Sequence, residues 1–148
     1  RVAVVISSWS FGYVADSPDS RRRWPSGLVG LFDVFNDAGV PVVVISSYPA
    51  GDAHSISRTL IVGPDEDRST DAALRREDRA WLIELETELA AGFDEVYILD
   101  PYEVLCDQSV CWTAVGGTEY YIDDNHLSKV GALLLAPPMA EILGIEIR

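Results

Sequence analysis

The stretch GVPVVVISS (Gly39–Ser47) is a short, unbroken run of mostly β-branched apolar residues, with no apolar/polar alternation. A strand that faces water on one side alternates; a strand buried on both faces does not. Two other runs share this character, RVAVVIS (Arg1–Ser7) and EVYILD (Glu95–Asp100). The segments between them have helical periodicity instead. In SGLVGLFDVFNDAG, Leu28, Leu31, Phe32 and Phe35 fall on one face, with Ser26 as the expected N-cap and Gly39 as the stop. In TDAALRREDRAWLIELETELAAG, Leu74, Trp81, Leu82, Leu85 and Leu89 form a stripe that Gly92 ends. A last helix is expected after Ser128, bending or breaking at Pro137–Pro138. Strands alternating with helices predict an α/β fold with a parallel sheet covered on both faces. Such sheets carry their chemistry in the loops at the carboxyl ends of the strands. Those loops are SSWSFGY, SSYPAGDAHS and DPYEVLC, whereas DSPDSRRRWPS (Asp16–Ser26) and GPDEDRSTD (Gly63–Asp71) read as polar surface loops.

A chain of 148 residues, 48% of them hydrophobic, supports one domain with a substantial core, taken as residues 1–148. Its formal charge of −13 argues against a nucleic-acid partner and against docking on anionic lipid. A neutral sugar or a small acyl ester is compatible with that surface. No apolar run approaches the length of a membrane-spanning helix. Arg1 in place of an initiating Met is what a processed or excised piece would carry. There is no glycine-rich phosphate loop and no clustered set of metal ligands, so neither a cofactor nor a metal is expected.

The segment YYIDDNHLSKVGA (Tyr120–Ala132) sets Asp123 three residues before His126, just ahead of the last helix. A carboxylate at that distance can bind one imidazole nitrogen, fix the tautomer, and stabilise the imidazolium formed when the other nitrogen takes a proton. The competing reading is a helix start in which Asp124, Asn125 and Ser128 vie for the cap and His126 is an ordinary exposed side chain. Upstream, Cys106 and Cys111 in LCDQSVCW are spaced either for a short disulfide loop or for two reduced, buried thiols.

YYIDDNHLSKVGA resembles LYxDxxHLSxxGA, the closing pattern of the SGNH hydrolase and acyltransferase superfamily. LDPYEVLCDQSVCWTAVGG, with its DP, LC, C and G positions, and AVVISSWSFGYV, a strand running into a tryptophan-containing loop, extend the likeness over nearly the whole chain. The closest similarity is to the extracytoplasmic SGNH domains attached to membrane acyltransferases that modify surface polysaccharides. The resemblance implies a three-layer α/β/α sandwich with a mainly parallel, flavodoxin-like sheet. It implies His126 as general base, Asp123 (rather than Asp124) as its orienting partner, and a disulfide between Cys106 and Cys111, as suits an oxidising compartment. Trp9 and Ser10 would lie in the loop where many members present an oxyanion-hole asparagine, and stand as candidate substrate contacts.

The superfamily's nucleophile sits in a GDS turn after the first strand of the domain. Nothing precedes RVAVVIS here, so the resemblance implies a sheet missing its opening strand, turn and helix. The serine would be carried on a separate or cleaved companion N-terminal segment or on sequence outside these 148 residues, unless the architecture is rearranged. GDAHS (Gly51–Ser55) imitates such a turn but has Ala53 at the nucleophile position. His54 and Ser55 are therefore read as loop residues. The expected function is serine-dependent acyl transfer, specifically O-acetyl transfer from an acyl donor to a glycan acceptor at the cell surface, alongside a membrane acyltransferase domain. The alternatives are a carbohydrate esterase of the same fold, or a non-catalytic glycan-binding domain stacking sugars on Trp9, Trp24 or Trp112.

Overall fold

The computed structural model describes residues 3–7, 18–49, 67–123 and 126–146. The three apolar runs form the strands β1 (Val4–Ser7), β2 (Val42–Ile45) and, after an antiparallel strand introduced below, β4 (Val96–Leu99). They pair in parallel in the order β1-β2-β4, with Val4 opposite Val42 and Val42 opposite Val96. Alternate residues of a strand face opposite sides, and the core divides accordingly. Val42, Val44 and Val96 pack with Leu28, Phe32 and Ala90, while Val43 and Leu99 pack with Leu135 and, at the margin, Met139 and Ile142. Helices α1 (Pro18–Asp37) and α2 (Ala72–Ala90) supply the first cluster, and the C-terminal helices the second.

Helix α1 begins eight residues before the expected cap, in the segment read as a surface loop. Pro18 suits the first helical position, where its missing N–H has no partner to lose. Ser26 lies inside the helix, its hydroxyl donating to the Arg23 carbonyl at 2.9 Å rather than capping. The apolar stripe extends back to Trp24, one turn before Leu28, which packs against the core. Leu31, placed on the buried face from the sequence, is exposed. In α2, Leu82 is buried and Trp81, Leu85 and Leu89 are half-buried, as the stripe required.

A second, antiparallel sheet was not anticipated. It comprises β3 (Arg68–Asp71), β5 (Val110–Val115) and β6 (Thr118–Glu119) in the order β3-β5-β6. β3 falls in the stretch read as a polar loop; pairing with β5, not propensity, makes it a strand. Between β5 and β6 the chain reverses through Gly116 (φ 54°) and Gly117 (φ 75°), the positive-φ pair of a tight hairpin. DPYEVLC folds into a one-turn helix, α3 (Tyr102–Leu105), with the Asp100 carboxylate accepting the Tyr102 N–H at 2.9 Å. The C-terminal helix divides at Leu135, before the prolines, into α4 (Lys129–Leu134) and α5 (Ala136–Leu143). Pro137 and Pro138 sit in the first turn of α5, where backbone N–H groups have no helical partner.

Cys106 and Cys111 are joined in a disulfide, which closes the turn from α3 into β5. Inside that turn Asp107 accepts the N–H groups of Ser109 (2.7 Å) and Val110 (2.8 Å) and the Ser109 hydroxyl (2.9 Å). The Val110 N–H, then the Ser109 donors, hold the Asp107 carboxyl below its ordinary range. Reduction, or Cys106→Ser with Cys111→Ser, is expected to lower the unfolding free energy by about 2 kcal/mol, the entropy of a short closed loop. The denaturation midpoint with and without reductant measures this; an unmoved midpoint would mean that the Asp107 turn holds the loop unaided.

Candidate active site

The chain between β6 and α4 folds back on itself. The Ile122 N–H donates to the His126 carbonyl at 2.8 Å, the Ser128 N–H donates to the Tyr120 carbonyl at 2.8 Å, and Tyr121 pairs with Leu127. Tyr121 is buried and anchors this return. Ser128 caps α4: its hydroxyl accepts the Gly131 N–H at 3.1 Å and donates to the Glu119 carbonyl at 2.7 Å. Gly131 lies so close to the returning strand that a Cβ there would stand 2.1 Å from the Tyr120 carbonyl oxygen. The sequence LSKVG therefore combines a cap with a contact that only glycine permits.

At the tip of the return, Asp123 and His126 meet as expected from their spacing. One carboxylate oxygen accepts the backbone N–H of His126 at 2.7 Å and the other lies 2.7 Å from its Nδ1. A carboxylate only accepts, so Nδ1 carries the proton and the lone pair of the neutral ring is on Nε2. The backbone bond fixes the carboxylate relative to the ring it serves. The two side chains are 46% and 49% exposed, so an incoming molecule can reach the pair. Asp124, the other carboxylate of the motif, lies outside the described residues, as do Trp9, Ser10, Ser55 and the GDAHS turn.

Two residues were missed in the sequence: Tyr48, close to this pair, and Arg79, which lies at the carboxyl ends of β2 and β4. Tyr48 follows β2 and packs its ring against Tyr121 (centroids 6.3 Å apart, planes at 54°). Its phenol is pushed up in pKa, first by burial and then by the charge of Asp123, so it is protonated at neutral pH. Arg79 of α2 is buried, with its guanidinium donating to the Ser47 carbonyl at 2.8 Å and paired with Asp100 at 2.7 Å. The same group lies over the Tyr102 ring, 4.0 Å from its centroid. Arg79 thus ties the carboxyl end of β2 to that of β4. The position of Tyr48 beyond a strand end was the legible signal; nothing in RREDRA distinguishes Arg79 from Arg75 and Arg76.

Of the tryptophans named for glycan stacking, Trp9 lies outside the described residues and the other two are half-buried. Trp24 packs on the core and its indole N–H is buried without a hydrogen-bond partner among the described residues, while Trp112 is half-buried in β5. Among the described residues no three His, Cys, Asp or Glu side chains gather as a metal site, and no helix is long and apolar enough to cross a membrane. The family model described as "SGNH domain (fused to AT3 domains)" matches residues 1–141. No curated protein and no solved structure matches the chain.

Proposed function

The chain belongs to the SGNH domain family, in the branch described as fused to AT3 domains, and on that premise we propose that it is an acyl-transfer domain in which His126 is the general base and Asp123 its orienting carboxylate. The observation that carries this reading is the double engagement of Asp123 with the backbone N–H and Nδ1 of His126. A structural remnant needs no fixed tautomer; a base does.

The nucleophile is a serine contributed by a segment outside the described residues. Ser128, the serine nearest in sequence to the pair, has its hydroxyl engaged with the Glu119 carbonyl and the Gly131 N–H, and Ser46 is buried. As that serine attacks an acyl ester, its proton passes to His126 Nε2 while the Asp123 carboxylate steadies the imidazolium. The carbonyl electrons move onto oxygen and return as the leaving alkoxide departs, taking the proton from His126. The acyl-enzyme is then resolved by a second hydroxyl, deprotonated at the same Nε2. A sugar hydroxyl of a cell-surface polysaccharide as acceptor makes the domain an O-acetyltransferase, with an attached membrane acyltransferase domain as partner; water makes it an esterase. The disulfide supports an extracytoplasmic site of action. The helix-covered clusters on both faces of the β1-β2-β4 sheet support a flavodoxin-like three-layer arrangement.

Treatment of the full-length protein with a serine-directed fluorophosphonate, followed by peptide mapping, tests this. Labelling of one serine is expected, and its strong suppression in His126→Ala. Labelling that is absent, or indifferent to His126→Ala, would sink the proposal.

A further inference from the structure

We propose that Tyr48 touches the substrate, its phenol hydroxyl donating a hydrogen bond to an oxygen of the acyl ester held beside the Asp123–His126 pair. This inference rests on the acyl-transfer reading above.

Three observations converge on Tyr48. The first is rigidity. Its backbone is held on both sides, by the Ser47 carbonyl bonded to the buried Arg79 and by the buried Pro49. A residue preceding proline is restricted to extended conformations, and the ring is braced by Tyr121. A side chain so fixed loses little freedom on binding.

The second is location. Tyr48 stands beyond the carboxyl end of β2, the edge where parallel sheets place their ligands. Its ring partner Tyr121 lies two residues before Asp123 on the return that carries the catalytic pair.

The third is chemistry. Among the described residues the Tyr48 hydroxyl has no hydrogen-bond partner, although the charge of Asp123 acts on it. Both Asp123 oxygens are engaged by His126. The phenol stays protonated at neutral pH and is a donor within reach of the charge of Asp123, which lies on the return that also carries His126. Packing alone would need a phenylalanine. No bond to Tyr48 is made or broken in the reaction: its proton stays on the phenol, and the hydrogen bond strengthens as the ester oxygen gains charge.

The test is turnover of p-nitrophenyl acetate by the full-length protein, compared among wild type, Tyr48→Phe and His126→Ala, with thermal midpoints measured on the same samples. Tyr48→Phe is expected to keep the midpoint and lower kcat/KM about 3- to 10-fold, the loss of one neutral hydrogen bond. An unchanged kcat/KM in Tyr48→Phe, with turnover abolished in His126→Ala, would overturn this inference and leave the acyl-transfer reading standing. A fall in kcat/KM matched by a lower midpoint would make Tyr48 a packing residue and overturn it too. Wild-type turnover no greater than buffer, or equal to that of His126→Ala, would remove the acyl-transfer reading and this inference with it.

Discussion

His126→Ala in the full-length protein is expected to reduce acyl turnover by about two to four orders of magnitude, the contribution of a positioned general base. The ring is half-exposed, so its loss removes no core and the folded state should stay within ~0.5 kcal/mol of the parent. Asp123→Asn sharpens the test because it keeps the shape. The carboxylate accepts from two donors at once, the His126 N–H and the Nδ1 proton. An amide has one acceptor oxygen and one NH2 group. If the oxygen keeps the backbone N–H, the NH2 faces Nδ1, and the ring proton must move to Nε2, the atom that has to accept from the serine. Asp123→Asn is therefore expected to lower turnover by an amount comparable to His126→Ala, with unaltered folding. Near-normal turnover in either variant, measured with a chromogenic ester, would show that the pair is not catalytic.

Arg79→Met is expected to destabilise the fold by about 3 kcal/mol, at the lower end of what breaking a buried ion pair costs. The guanidinium is 5% exposed and Asp100 28%, so water reaches the surviving carboxylate but not enough to replace its partner. The substitution also frees the Ser47 carbonyl and removes the contact with Tyr102. Adding Asp100→Asn to Arg79→Met should recover part of the loss, because the stranded charge disappears. Chemical denaturation of the two single variants and the double variant measures the coupling. Strict additivity would mean that the two side chains do not interact in solution.

The parts of this fold that were legible in sequence depend on local pattern. The runs at Val42–Ile45 and Val96–Leu99 declare strands buried on both faces, and the Trp81–Leu89 stripe declares α2. Asp123 and His126 are three residues apart, so their meeting was readable from spacing. The early start of α1 was missed, although Pro18 and the position of Trp24 one turn before Leu28 both signal it. The hairpin was missed as well, although the paired glycines at 116 and 117 signal it. What was not legible arises from contacts between distant segments. Arg68–Asp71 is polar and becomes a strand only because β5 lies beside it. Arg79 looks like any surface arginine until its carbonyl and carboxylate partners arrive from the ends of two strands. Tyr48 acquires its significance from Tyr121 and Asp123, both more than 70 residues away.

The engagement of both Asp123 oxygens with a residue three positions on has a consequence for the order of assembly. Contacts of such short sequence separation close in well under a microsecond and cost little chain entropy, whereas strand pairings such as β2 with β4 must wait for a long segment to find its partner. Asp123 and His126 therefore belong to the earliest, most local tier of folding. A nucleophile brought from elsewhere belongs to the last. If the domain works as proposed, its site matures in one direction, with the proton acceptor in place before the remote serine docks. Partly folded molecules would carry the harmless half of the machinery and not the half that can be acylated.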